Sequence, residues 1–557
     1  MNVAESVGRA LAELGASHAF GVVGSGNFHV TNALVAGGAR FVPTRHEAGA
    51  ATAADAYARM SGEVGVLSVH QGPGLTNAMT GITEAAKSRT PLLVLAADTA
   101  AGAVQSNFRI DQPGLAAAVG AAHVRLGSAD TAVADAATAY RLALAERRTV
   151  ILSMPLDVQA ADCPPAVRRP PPVTSGTSAA AQPAGAPPDP EAISELVDLL
   201  MAARRPVFIA GRGAMLAGAA PVLDALADRC GALLATSAVA KGLFVGNPWD
   251  LDVSGGFATP LAAELIGSAD TVVAWGCTLS MWTTRHGALI RPGTAVVQVD
   301  LEQDAIGLNQ PVRLGIVADV VAAATETLTE LDRRSATVIG YRTQAIRERI
   351  RTSGRWRDVA YEDSSGIGQI DPRTLTIAVD DLLPAERIVA VDSGNFMGYP
   401  SMFLSVPDSG GFCFTQAFQA IGLGLATAIG AALARPDRLP VAALGDGGAL
   451  MGIAELETVV RLGLPMAIMV YNDSGYGAEV HHFGPDGFPL DTVRFPDSDL
   501  AAIGRGFGAD AITVREPTDL DPLRSWLSEP RDRPILIDAK VTRDRGSWWL
   551  EEAFRGH

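Results

Sequence analysis

The sequence predicts an α/β protein built from three doubly wound units with mostly parallel sheets, and three observations lead there. Short apolar runs alternate with amphipathic, alanine-rich helical stretches along the whole chain. Most of these runs are continuous rather than alternating, as in strands covered by helices on both faces. A Pro-, Ala-, Ser- and Gly-rich stretch and a second shift in composition divide the chain into parts of ordinary domain size.

The clearest strands in the first part are Gly65–Val69, Leu92–Ala96 and Val150–Met154. In the second they are Val207–Ala210, Thr271–Trp275 and Ala295–Val299, with Asp300 closing the last. In the third they are Ile388–Val391, Val441–Leu444, Ala467–Val470 and Ile535–Ile537. Strand–helix–strand order places ligands at the carboxyl ends of such strands. Pro164 to Pro190, containing RRPPPVTSGTSAAAQPAGAPPDP, reads as an extended surface linker. Near Tyr341–Asp371 an Arg-rich helical stretch gives way to EDSSGIGQIDP. The expected units are residues 1–165, a linker at 166–190, residues 191–345 and residues 346–557. The first and third both read as open α/β units.

Composition narrows the function. The chain has 557 residues, 48% of them hydrophobic, which excludes a disordered or coiled-coil protein. Sixty acidic residues against 44 Lys and Arg leave a formal charge of −16. Without a basic block, this is not the footprint of a nucleic-acid or membrane-surface binder. An anionic ligand therefore needs backbone N–H groups, helix N-termini or a metal. Four cysteines, none in CxxC spacing, make no disulfide scaffold. The opening residues carry Glu5 and Glu13 and no signal-type apolar core, so a cytoplasmic protein is expected. Ser409 to Ala434 lacks charge over a length that could span a bilayer. Thr415, Gln416, Gln419 and five glycines mark it instead as a buried segment beside a ligand.

The third unit carries the most informative run. A strand ends at Gly445 and delivers Asp446, followed by Gly447 and Gly448; a helix holds Glu455 and Glu457; the next strand ends at Asn472-Asp473 before Ser474-Gly475-Tyr476. Asp446 and Asp473, 27 residues apart, thus come to one sheet edge. Paired hard oxygen ligands there suit Mg²⁺, which usually shares its coordination with substrate phosphates. The glycines let backbone N–H groups approach a phosphate closely. GDG alone is a weak signal; at a strand end, with the Asn-Asp pair at this distance, it is strong.

That run resembles the thiamin-diphosphate motif of the acetolactate synthase, pyruvate decarboxylase and benzoylformate decarboxylase group. The resemblance extends to Arg45-His46-Glu47, to Gly72-Pro73-Gly74-Leu75-Thr76-Asn77, to Lys241-Gly242 and Gly276, and to Ser393-Gly394-Asn395. It implies a pyrimidine-binding first unit, a central unit and a diphosphate-binding third unit. It makes Asp446, Asp473 and the Gly475 carbonyl the Mg²⁺ ligands, although the family usually has Asn where Asp473 stands. Gly394, Asn395, Gly445, Gly447, Gly448 and Tyr476 fall beside the diphosphate, and Asn77 in the pyrimidine half. Glu47 then holds N1′ of the aminopyrimidine; read alone, it is a helix N-terminal carboxylate. The Gln419 main chain meets the 4′-amino group. Ile421, 25 residues before Asp446, is the apolar wedge that folds the cofactor, or else simple core packing.

The implied activity is decarboxylation of a 2-oxo acid through a C2 ylide and an enamine, with carboligation as a further outcome. Signals for the product conflict. His70 and Ser25 match active-site positions of benzoylformate decarboxylase, and His70 suits proton transfer; a satisfied loop histidine is the equal alternative. Glu479 falls where pyruvate decarboxylases place an acid, so Glu47, His70 and Glu479 form the candidate catalytic set. Phe108 replaces a glutamine of acetolactate synthase and lines the substrate pocket with Ser25, His70, His481 and His482. His123 and Arg125 are the nearest candidates for that enzyme's basic residue. An acetolactate-synthase-like carboligase stays open, as does a transferase acting on an acyl-CoA or a sulfonate. Gly211-Arg212-Gly213 leaves FAD in the central unit possible but not favoured, and a flavin or nicotinamide oxidoreductase is the remote alternative. The resemblance also implies a homodimer or homotetramer acting on a small molecule, with no nucleic-acid or membrane partner.

Overall fold

The computed structural model describes residues 1–170, 187–335 and 337–553. The central stretch of the expected linker, 171–186, lies outside the described residues.

Each unit is built on a six-stranded, wholly parallel sheet. The first contains β1 (His18–Gly21), β2 (Arg40–Pro43), β3 (Gly65–Val69), β4 (Leu92–Asp98), β5 (Ala122–Arg125) and β6 (Thr149–Pro155), in the order 2-1-3-4-6-5. The second contains β7 (Pro206–Ala210), β8 (Leu233–Thr236), β9 (Asp250–Val253), β10 (Thr271–Trp275), β11 (Ala295–Asp300) and β12 (Leu314–Val317), in the order 12-11-10-7-8-9. The third contains β13 (Arg387–Val391), β14 (Phe412–Phe414), β15 (Leu439–Gly445), β16 (Ala467–Asn472), β17 (Asp510–Val514) and β18 (Ile535–Lys540), in the order 14-13-15-16-18-17. Counted within each unit, the first and third orders are identical. The central order is that of dinucleotide-binding sheets.

All ten strands expected from continuous apolar runs are present, within three residues at either end. The remaining eight include all six sheet edges, β2, β5, β9, β12, β14 and β17. Edge strands are short and tolerate charge, as at Arg40, Asp250 and Asp510, so they lack the buried-strand signature.

Successive residues of each strand point to opposite faces. In the first sheet, Val66, Leu93, Leu95 and Leu152 pack on one side, and Leu67, Val69, Val94 and Ile151 on the other. The second group belongs to a core shared with the third unit, which also contains Leu425, Ile429, Leu444 and Val470. Helices Glu47–Ser61 and Gly424–Ala434 meet inside it. Their contact is close because the facing residues are small: a side chain at Gly430 would strike the Ala53 carbonyl. The first and third units are therefore joined through a common interior. The Ser409–Ala434 segment forms strand, loop and buried helix, and among the described residues no helix is long and apolar enough to cross a membrane. Helix Gln344–Ser353 packs Ile346 and Ile350 against the central unit, whereas Trp356 packs on the third.

Candidate active site

In the third unit, β15 and β16 are adjacent and parallel, with Gly445 paired to Tyr471, so their ends coincide. Asp446 opens the short helix Asp446–Met451 directly after β15, and Asp473 follows β16 directly. The two carboxyl groups come within hydrogen-bonding reach of each other. Burial pushes the Asp446 carboxyl up. Asp473 is raised well above the ordinary range, first by burial and then by the Asp446 charge. Two carboxylates held this way repel unless they share a proton or a cation.

The surroundings are main chain. Gly475 packs on the Val493 carbonyl, and the Gly475–Tyr476 loop is pinned by Tyr476 N–H donating to Val493 O at 2.9 Å and Phe495 N–H donating to Ser474 O at 2.9 Å. The Tyr476 ring lies across Gly447, where a Cβ would stand 2.6 Å from it. A Cβ at Gly448 would strike Asp392. Gly394 has φ 140°, open to glycine alone, and Asn395 Oδ1 accepts from Ser547 N–H at 3.0 Å. This backbone-lined cradle beside two carboxylates fits a metal-held diphosphate. Among the described residues no group of three or more His, Cys, Asp or Glu forms a metal site; a cation here takes the rest of its coordination from a carbonyl and phosphate oxygens.

In the loop before helix Gly424–Ala434, Gln419 has φ 57° and Ile421 is partly exposed. Asp392, fully buried after β13, accepts from the N–H groups of Ser393 at 2.9 Å and Gly422 at 3.0 Å. Burial raises its pKa to about 6. It anchors the turn before a helix that has no side-chain cap of its own. Nothing in the sequence marked Asp392 except its place at a strand end before Ser393-Gly394-Asn395.

In the first unit, Glu47 is the first residue of helix Glu47–Ser61, and Asn77 Nδ2 donates to its Oε2 at 3.1 Å. His70 follows β3, and its Nδ1 accepts from Gly26 N–H at 3.1 Å. That bond assigns the neutral ring its proton on Nε2. Phe108 stands edge-on to His70 with centroids 5.4 Å apart, and Ser25 lies in the loop that folds over the imidazole. Ser25, His70 and Phe108 are thus one cluster. Arg125 pairs with Asp98, and His123 Nε2 lies 2.8 Å from the Ser153 hydroxyl.

Glu479, His481 and His482 sit on the helix Gly477–Phe483. His481 lines a cavity of about 490 Å³ with Asp473, Gly475, Arg494 and Asp544, and burial lowers its pKa. His482 stacks edge-on against Phe483 and does not line that cavity, and neither does Glu479. The Glu47–Asn77–His70 region stands at the carboxyl edge of the first sheet and the Asp446–Asp473 region at that of the third.

The central Gly211-Arg212-Gly213 turn packs backbone to backbone against Gly276 and Cys277, and Arg212 donates to the Ser88 carbonyl of the first unit.

Three parallel α/β units, the first and third alike and sharing a core, with ligand-holding groups at their sheet edges, define a class of three-unit α/β enzymes. Family models for the thiamine pyrophosphate enzymes match the chain in three places: the N-terminal TPP-binding domain at residues 1–118, the central domain at 193–331 and the C-terminal TPP-binding domain at 392–539. A protein named probable 2-ketoarginine decarboxylase, from Pseudomonas aeruginosa, is 31% identical over 546 residues, covering 94% of this chain and 90% of its own. A sulfoacetaldehyde acetyltransferase from Alcaligenes xylosoxydans is 27% identical, covering 97% and 93%. An acetolactate synthase large subunit from Parasynechococcus marenigrum is 29% identical, covering 96% and 86%. The chain belongs to the thiamine pyrophosphate enzyme family, among its decarboxylase and transferase members.

Proposed function

We propose that this protein is a thiamin-diphosphate- and Mg²⁺-dependent 2-oxo acid decarboxylase whose Mg²⁺ lies between Asp446 and Asp473. The observation that carries this reading is the buried pair of carboxyls at the ends of adjacent strands, facing a glycine-lined cradle. When bound, the cofactor supplies the electron sink that lets CO₂ leave.

The chain's own residues then have these roles. Asp446, Asp473 and the Gly475 carbonyl hold the metal; Gly394, Asn395, Gly445, Gly447, Gly448 and Tyr476 surround the diphosphate. The Gln419 main chain and the Ile421 side chain support the aminopyrimidine end. Glu47 holds N1′; with Asn77 on its Oε2, its Oε1 is the oxygen left to carry the proton. His70 offers Nε2–H as a donor toward the substrate, and Phe108 keeps that side apolar. Glu479 is a further acid for proton transfer, with Ser25 and His481 lining the pocket.

An exposed apolar surface around the Gln419–Ile421 loop supports a homodimer in which Glu47 of one copy faces Asp446 of another. Phe418, Ile421, Leu450 and Met451 are 45%, 41%, 41% and 53% exposed around the same loop, an apolar surface suited to a second copy. A second reading, carbon–carbon bond formation with an acceptor carbonyl, draws on the acetolactate synthase and acetyltransferase relatives.

The test is product identity. Full-length protein with thiamin diphosphate and Mg²⁺ is given a panel of aliphatic, aromatic and guanidino 2-oxo acids, with and without an acceptor aldehyde. The expected result is CO₂ with the matching aldehyde. A new carbon–carbon bond as the main product selects the second reading, and no CO₂ from any acid overturns the first. Glu47→Gln is expected to abolish turnover while thiamin diphosphate still binds.

A further inference from the structure

We propose that Glu455 is a positioning residue for Glu47, gripping from the third unit the turn that presents the first unit's carboxylate. The inference rests on the proton-holding role proposed above for Glu47.

Glu455 is the first residue of helix Glu455–Arg461 and is 3% exposed. Its Oε1 accepts two backbone N–H groups, from Arg45 and from His46, each at 3.0 Å. Its Oε2 accepts from the Thr458 hydroxyl at 2.8 Å, which fixes the carboxylate's orientation. The gripped N–H groups belong to the two residues immediately before Glu47. His46 is the extended N-cap, with φ −144° and ψ 145°, so this grip sets the direction in which the helix Glu47–Ser61 starts.

The fit is close. Gly49, two residues past Glu47, faces the same carboxylate, and a Cβ there would stand 2.5 Å from Glu455 Oε1. The same helix adds two outer contacts: Glu457 pairs with Arg45, whose Nε lies 2.6 Å from its Oε2, and Arg461 donates to the Pro43 carbonyl. The segment from Pro43 to Gly49 is thus clasped from the third unit on both sides of its charged residues. Hydrogen bonds to an ionised acceptor are about twice as strong as neutral ones. These act on the main chain, so the placement of Glu47 does not depend on the side chains of residues 45 and 46. A brace for the common core alone could sit anywhere along the packed helices; this one acts at the residue before the proposed catalytic carboxylate.

A displacement of about 1 Å at a reacting group can cost about 10²-fold in rate. The test uses the full chain loaded with thiamin diphosphate and Mg²⁺. Glu455→Ala is expected to lower kcat by about 10²-fold with a much smaller change in KM. Glu455→Gln, which keeps an oxygen for both N–H groups, is expected to recover most of the loss. In the cofactor-free protein, amide hydrogen exchange of residues 45–48 is expected to quicken in Glu455→Ala, while the strand Thr271–Trp275 stays protected. Should Glu455→Ala fail to fold, Gly49→Ala pushes the same carboxylate aside and carries the same expectations. Unchanged kcat in the variant that folds, or exchange that quickens across the whole chain, overturns the inference. Inactive Glu47→Gln beside a fully active Glu455→Ala overturns this inference alone. Wild-type turnover in Glu47→Gln overturns the role of Glu47 on which it rests.

Discussion

Asp446 and Asp473 are a buried pair of carboxyls that the proposed reading makes the ligands of a cation. Both carboxyls are raised by burial, and Asp473 further by its neighbour. The folded, metal-free chain therefore holds more protons on this pair than the unfolded chain does. Its stability falls as pH rises through the raised range, since stability drops with pH wherever the native state binds the extra proton. A divalent cation displaces that proton, so Mg²⁺ binding is expected to release protons and to tighten with rising pH. Titration calorimetry in buffers of different ionisation enthalpy measures both. Asp473→Asn, which keeps an oxygen but removes the second charge, is expected to abolish most of the proton release and weaken binding by about tenfold. Proton release unchanged from wild type would place the cation elsewhere.

At the scale of elements, the loop before helix Gly424–Ala434 hangs on one buried acid. Asp392 holds the N–H groups of Ser393 and Gly422 and so anchors the turn that leads into helix Gly424–Ala434, whose body packs on helix Glu47–Ser61 in the common core. Removing it leaves buried donors unpaired, so Asp392→Ala is expected to cost about 1–3 kcal/mol per unsatisfied group. Chemical denaturation followed by tryptophan fluorescence would show the loss as a lower midpoint. Because burial raises this carboxyl to about 6 from 3.8, its contribution to stability declines as pH rises from about 4 to about 6. Asp392→Asn is expected to flatten that part of the stability–pH curve.

Over the whole molecule, two like units joined by a shared core carry the two halves of the proposed site, each at the carboxyl edge of its own sheet. If each site is completed by a second copy, Glu47→Gln and Asp446→Ala complement each other. Each variant alone is expected to be inactive. A mixed dimer carries one site with both changes and one with neither, so unfolding and refolding an equal mixture is expected to recover about a quarter of wild-type activity. No recovery in verified mixed dimers would put both halves of a site in one chain.

Local sequence was enough for ten of the strands, for the Asp446 and Asp473 strand ends and for the helix-opening position of Glu47. Each is local: an apolar run long enough to bury, a glycine where backbone must come close, a carboxylate at the residue after a strand. The six edge strands escaped because they are short and several carry a charge, and β1 and β8 because four residues make too brief an apolar run. The grip of Glu455 on residues 45 and 46, the anchoring of the Gly422 turn by Asp392 and the core shared by the first and third units come from the tertiary structure alone. Glu455 lies more than 400 residues from its partners, and a carboxylate that binds main-chain N–H groups imposes no side-chain pattern on the residues it holds.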